Sequence, residues 1–183
     1  MGVIYMKILN FGSLNIDYVY SVDHFVQKSE TISSSQMNIF SGGKGLNQST
    51  ALGRAGAQVF HAGRIGKGGE FLVEQLKEAG VNTDLVVLDS QCSTGHAIIQ
   101  NDAEGDNCIL LYGGANQRIT KEQIDATLDQ FDAGDYLVLQ NETSNLPYLM
   151  EKAAEKQMKI VLNPSPMDEK IKALPLDKVT LFF

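Results

Sequence analysis

The chain has 183 residues, 43% apolar and 20% charged, with a formal net charge of −7. That is the make-up of a globular chain of about one domain, long enough for a sizeable core. The acidic balance has no basic run to offset it and argues against a nucleic-acid surface. No apolar run approaches the roughly 18 residues of a membrane span.

The opening Met1–Met6 is too short for a signal peptide. Two cysteines, Cys92 and Cys108, do not make a disulfide framework, so a reducing, cytoplasmic setting is expected. Residues 7–12 read as a short buried strand ending at Gly12. Residues 18–23 and 31–40 read as two half-buried strands, the second rich in Ser and Thr. Residues 43–55 read as a helix, 58–65 as a strand and 69–79 as a helix stopped by Gly80.

Three short strands follow at 85–88, 96–100 and 107–112, the last two joined by a hairpin turn at Asp102–Asp106. A helix is predicted over 119–131 with Thr120 as its N-cap. Strands at 135–140, 159–162 and 179–183 then alternate with helices at 146–157 and 168–174. Such alternation implies an α/β fold, a mostly parallel sheet flanked by helices. The strands near 18–40 and 85–112 do not fit the alternation, so they are assigned to a second, smaller β layer.

The run Ser41-Gly42-Gly43-Lys44-Gly45-Leu46-Asn47-Gln48 is the strongest local signal. Glycines let a backbone approach a ligand, and a helix start offers unpaired N–H groups to a polar or anionic guest. It is not a phosphate loop of the Gly-Lys-Ser/Thr kind, because Gly45 follows Lys44. It is not a dinucleotide fingerprint, because Gln48 stands where the last glycine belongs. The three histidines, His24, His61 and His96, lack metal-ligand spacing.

In open α/β sheets, ligands bind beyond the carboxyl ends of the strands. Asn15, Asp17, Gly42, Gly43, Asn47, Asn141, Glu142 and Asn163 all fall at such ends or at the helix start. Amides and carboxylates present paired donors and acceptors, which suit sugar or nucleoside hydroxyls better than a phosphate. Each has a plainer alternative: a tight turn at Gly42–Gly43, a turn former at Asp17, a solvated Lys44, a helix-start carboxylate at Glu142. Ser93, Thr94 and Asn116 read as turn residues, Asn163 as a loop former before Pro164, and His96 as a packing residue.

Six segments in order resemble the ribokinase-like (PfkB) carbohydrate kinases over nearly the whole chain. They are Ser13–Asp17, Gly42–Ser49 with Gly56 and Gly66, Ser93–Gly95 with Ala97 and Ile99, Gly113–Asn116, Gln140–Glu142 and Asn163–Pro166. The resemblance implies a Rossmann-like core with a β-sheet lid, and ATP-dependent phosphorylation of a sugar hydroxymethyl group. It implies that Asn15 and Asp17 hold sugar hydroxyls, that Gly42 and Gly43 bring backbone to the sugar, and that Lys44 and Asn47 donate to it. Glu142 would orient the sugar from the opposite side, while Ala97 and Ile99 would cover its apolar face. The sequence does not give the oligomeric state, but exposed lid strands are compatible with a homodimer through the lid.

Two departures stand out. Lys67-Gly68-Gly69 replaces the family's usual Asp after Gly66, with a small structural effect expected. The chain also stops at Phe183, little more than halfway through the family pattern. The resemblance therefore puts the catalytic Asp, the magnesium-serving Asn/Glu segment and the adenine pocket beyond Phe183, and a monovalent cation is a further cofactor it allows for the full-length enzyme. ATP and Mg2+ are expected of the full-length enzyme, whereas this chain is expected to supply the sugar-binding half and to be inactive alone. The alternative is a non-catalytic sugar-binding or dimerisation module from a truncated gene.

Overall fold

The computed structural model describes residues 6–183. Residues 1–5, most of the segment judged too short for a signal peptide, lie outside the described residues. Ten strands and four helices run in chain order. They are β1 (Ile8–Phe11), β2 (Asn15–Ser21), β3 (Gln36–Gly42), α1 (Lys44–Arg54), β4 (Val59–Lys67), α2 (Glu70–Glu78) and β5 (Asn82–Ser93). Then come β6 (Gly95–Asn101), β7 (Asn107–Tyr112), α3 (Lys121–Leu128), β8 (Tyr136–Gln140), α4 (Leu146–Glu155), β9 (Lys159–Asn163) and β10 (Val179–Phe182). A 3₁₀ turn, Gly114–Arg118, links β7 to α3.

Six strands form one sheet in the order β10-β9-β8-β1-β4-β5, with every pair parallel. Its central strands are buried on both faces, which is why they read as continuous apolar runs. Leu9 and Phe11 of β1 point to a core made with α3 and α4, including Ile124, Leu128, Leu149 and Met150. Leu46 of α1 and Leu72 and Leu76 of α2 build a second core with Val59 and Ile65 of β4. Helices therefore cover both faces, and fully burying each such side chain contributes about 1.5–3 kcal/mol. Among the described residues no helix is long and apolar enough to cross a membrane.

The remaining strands form a small mixed sheet in the order β3-β2-β6-β7. Here β2 and β6 run parallel, and the outer pairs antiparallel.

Three expectations are corrected. Residues 85–88 were assigned to the small layer, yet β5 is a twelve-residue edge strand of the large sheet, paired with β4 from Phe60↔Asn82 to Lys67↔Ser93. Asp84, Asp89, Ser90 and Gln91 break its apolar pattern. An edge strand keeps one margin in solvent, and Asp89 is neutralised by Arg64 at 3.2 Å and Arg118 at 2.8 Å. Residues 31–35 precede β3 rather than joining it, and 168–174 forms a 3₁₀ turn, with Asp168 accepting from Lys170 N–H.

Candidate functional site

β1 ends at Phe11, and the chain leaves the sheet through Gly12-Ser13-Leu14 into β2. The carboxyl end of β8 delivers Asn141 and Glu142 beside it, and α1 begins above both. This gathers Asn15, Asp17, Gly42, Gly43, Lys44 and Glu142 at one edge, as the strand-end reading anticipated.

The start of α1 is closed by the protein itself. Lys44 N–H donates to Glu142 Oε2 at 3.0 Å, and Gly45 N–H to Ser13 Oγ at 3.2 Å. Leu46 N–H donates to the Ser13 carbonyl at 3.0 Å, and Asn47 N–H to the Gly43 carbonyl at 3.1 Å. The expectation that this helix start offers open N–H groups to a guest is therefore narrowed to its N-cap, Gly43. Three of the four donors a helix start leaves free, those of Lys44, Gly45 and Leu46, are satisfied, a carboxylate sits at the positive end of its dipole, and Gly43 N–H has no partner among the described residues.

Glu142 is nearly buried, its side chain 7% exposed. It also accepts from the Ser13 hydroxyl, and Lys44 Nζ lies 2.7 Å from its Oε1. Two glycines are sterically required around it. Gly43 has φ +96°, which disfavours any side chain, and a Cβ there would meet the Ser13 carbonyl at 2.8 Å. A Cβ on Gly42 would lie 2.1 Å from Asp17 Oδ2.

Asp17 differs from Glu142. No described residue donates a hydrogen bond to its carboxylate. Burial, and then the charge of Glu142, push its carboxyl above the ordinary aspartate value. In the small sheet Asp17 stands in register with Phe40, Ala97 and, across Ala97, Leu111. Side chains in register share a face, so a carboxylate sits in an apolar row. Ala97 is buried there, and Ile99 follows two residues on, between Val19 and Ile109.

Asn15 lies on the same face as Asp17, opposite Gly42 and Gly95. Its Oδ1 accepts from Asn116 Nδ2 at 2.8 Å. A cleft of about 160 Å³ is lined here by Asn15, Leu111, Asn116, Gln117, Asn141 and Glu142. Gln117 Nε2 donates to the Glu142 carbonyl at 2.8 Å, and Asn141 Nδ2 to the Pro166 carbonyl at 2.7 Å.

Asn47 is the outlier among the predicted site residues. It is exposed in the first turn of α1, and its side chain bonds to no described residue. Sequence reasoning missed Ser13, Leu111, Gln117 and the role of Asn116. Leu111 was legible only as a strand residue opposite Ala97. The other three act through bonds to residues about 25 to 130 positions away, which no local pattern encodes.

Below the site runs a buried polar chain. Gln140 Nε2 donates to Asn10 Oδ1 at 2.9 Å, Asn10 Nδ2 to Ser49 Oγ at 2.9 Å, and Ser49 Oγ lies 2.7 Å from His61 Nδ1. Burial drives the His61 pKa down to about 4, so the ring is neutral near pH 7. Asn10 also donates to the Gly45 carbonyl at 2.9 Å, tying this chain to the glycine turn.

The glycine-rich helix start is occupied by Ser13 and Glu142, and among the described residues no group of three His, Cys, Asp or Glu could hold a metal ion.

A parallel α/β sheet with a polar cleft at its carboxyl edge, under a small second sheet, defines a small-molecule-binding domain. The model of the pfkB family carbohydrate kinases matches residues 6–183, and the chain belongs to that family. It is 34% identical over 181 residues to a ribokinase of Staphylococcus aureus (strain COL), covering 96% of this chain and 58% of that protein. The ribokinase structure from Thermotoga maritima superposes with a TM-score of 0.85 at 30% identity, over 97% of this chain and 59% of that one. The ribokinase of Cryptococcus neoformans var. grubii serotype A, solved with ADP, gives 0.82 at 35% identity, over 97% and 57%. The chain thus spans a little over half the length of the relatives it matches.

Proposed function

We propose that this chain forms the sugar-binding half of a ribokinase-like kinase that transfers a phosphoryl group from ATP to the hydroxymethyl group of a sugar, a pentose of the ribose kind. One observation carries the reading: Asp17 is a half-buried carboxylate with no donor from any described residue. Burial holds its carboxyl above the ordinary aspartate value, so hydroxyl donors that arrive with a ligand would stabilise its charged form. A carboxylate only accepts, and sugar hydroxyls donate.

Asn15 supplies the complementary amide. Gly42 and Gly43 leave room for the sugar beside Asp17, and Lys44, steadied by Glu142, offers its remaining N–H groups. Asn47 reaches the sugar from the first turn of α1, while Ala97 and Ile99 face its apolar side. ATP, Mg2+ and any monovalent cation belong to the longer protein, and no step through them is derived from these residues. A second copy of the chain packs on the outer face of the lid.

Isothermal titration with ribose, deoxyribose, fructose and nucleosides, beside a coupled assay for ATP consumption, tests this. The expected result is weak binding of one sugar class and no ATP turnover by the 183-residue chain. Sugar-dependent ATP consumption would overturn the division of labour, and no heat with any sugar would overturn the site.

A further inference from the structure

The 3₁₀ turn Gly114–Arg118 carries Asn116, which is 1% exposed and read from sequence as a turn former. Its amide is fixed at both ends. Oδ1 accepts from Leu14 N–H at 3.0 Å, and Nδ2 donates to the Leu14 carbonyl at 3.2 Å. A rotated amide would set oxygen against oxygen and nitrogen against nitrogen, so one orientation is specified. The second hydrogen on Nδ2 is then directed to Asn15 Oδ1, at 2.8 Å. That bond in turn specifies Asn15: its oxygen faces Asn116, and its Nδ2 is left with no acceptor among the described residues.

The geometry points to Asn116 as a positioning residue that fixes Asn15 as a hydrogen-bond donor to the ligand. Asn15 and Asp17 are two apart in β2 and share a face, so the site presents one donor amide and one acceptor carboxylate side by side. It recognises a pair of ligand hydroxyls in one sense: the oxygen of one accepts from Asn15, and the hydrogen of the other goes to Asp17. This rests on the sugar-site reading but adds a direction that neither residue specifies alone.

The test is a double-mutant cycle on sugar affinity in the 183-residue chain, with side-chain amide exchange read by NMR. Asn116→Asp turns a donor into an acceptor, which forces the Asn15 amide to rotate and present its oxygen. Affinity for the sugar the chain takes should fall about tenfold or more, as a misdirected polar contact costs. Asn15→Ala should lose a similar factor, and Asn116→Asp added to Asn15→Ala should lose nothing further. An equal further loss in the double variant would make Asn116 a merely structural residue and overturn the inference.

Amide exchange in the unsubstituted chain decides the matter even without a sugar or a folded Asn116→Asp. The Asn116 NH2 should exchange slowly and the Asn15 NH2 fast. Fast exchange at Asn116 with protection at Asn15 would overturn the inference. Failure of every sugar to bind, with the expected exchange pattern, would count against the sugar site alone.

Discussion

At the scale of single residues, the site holds two carboxylates with opposite assignments. Glu142 accepts from Ser13 and twice from Lys44, so it is tied into the framework. Asp17 has no such partners, and burial and Glu142 raise its pKa. Such a group is harder to ionise folded than unfolded. Its ionisation therefore costs stability at pH values above the raised folded pKa, and the cost vanishes below the ordinary unfolded value. Asp17→Asn removes the charge while keeping the shape. It should stabilise the chain near neutral pH, and the advantage should fade as the solution is acidified through the window between those two values. Urea unfolding of both proteins from pH 7 to pH 3 reads this directly. A variant less stable than the parent at pH 7 would mean that Asp17 has a donor after all. Sugar affinity should fall as the pH drops through the raised folded pKa of Asp17, because a protonated carboxyl accepts hydroxyl donors poorly.

At the scale of elements, the start of α1 depends on a residue nearly a hundred positions away. Glu142 closes it by accepting from Lys44 N–H, Lys44 Nζ and Ser13 Oγ together. Glu142→Ala would leave these donors without partners in a partly buried place, at a cost of about 1–3 kcal/mol. A lowered urea midpoint with unchanged slope is the expected result. An unchanged midpoint would mean that water replaces the carboxylate without loss.

The same contact shows what sequence could reveal. The strands β1, β8 and β9 and the helices α1, α2 and α4 were legible because burial on two faces, or on one, leaves a run or a period in the residues. Strand β5 was read too short because its polar residues answer to Arg64 and Arg118 rather than to the sheet pattern. Residues 114–118 carried no period at all, and Asn116 matters through bonds to Leu14 and Asn15, 102 and 101 residues away. Asp17, Gly42 and Gly43 were legible as a motif. Why Gly42 must be glycine was not, since the reason is the Asp17 carboxylate across the strand pair.

At the scale of the whole molecule, the small sheet is the one layer without helices on it, and its outer face is apolar. Ile39, Tyr18, Ile98 and Leu110 form one row across the four strands. Leu110 is 68% exposed and Ile39 52%, an unusual cost for side chains that sheets normally cover. On the same face a hollow of about 350 Å³ is lined by Tyr20, Val22, Val26, Ile32 and Ile98, with Glu30, Thr31, Ser34 and Gln100 at its polar side. A projecting apolar row and a partly apolar hollow on one surface are what a two-fold axis can exchange between copies, each row meeting the other's hollow. The proposed dimer through the lid would bring these two surfaces together. Leu110→Glu would place a charge at the centre of that contact, where desolvating it without a partner is prohibitive. Sedimentation velocity should show the parent chain as a dimer at micromolar concentration and Leu110→Glu as a monomer. Both should have the same far-UV spectrum, because Leu110 is mostly exposed within its own subunit. A monomeric parent would remove the second copy from this face, and a dimeric Leu110→Glu would move the contact elsewhere.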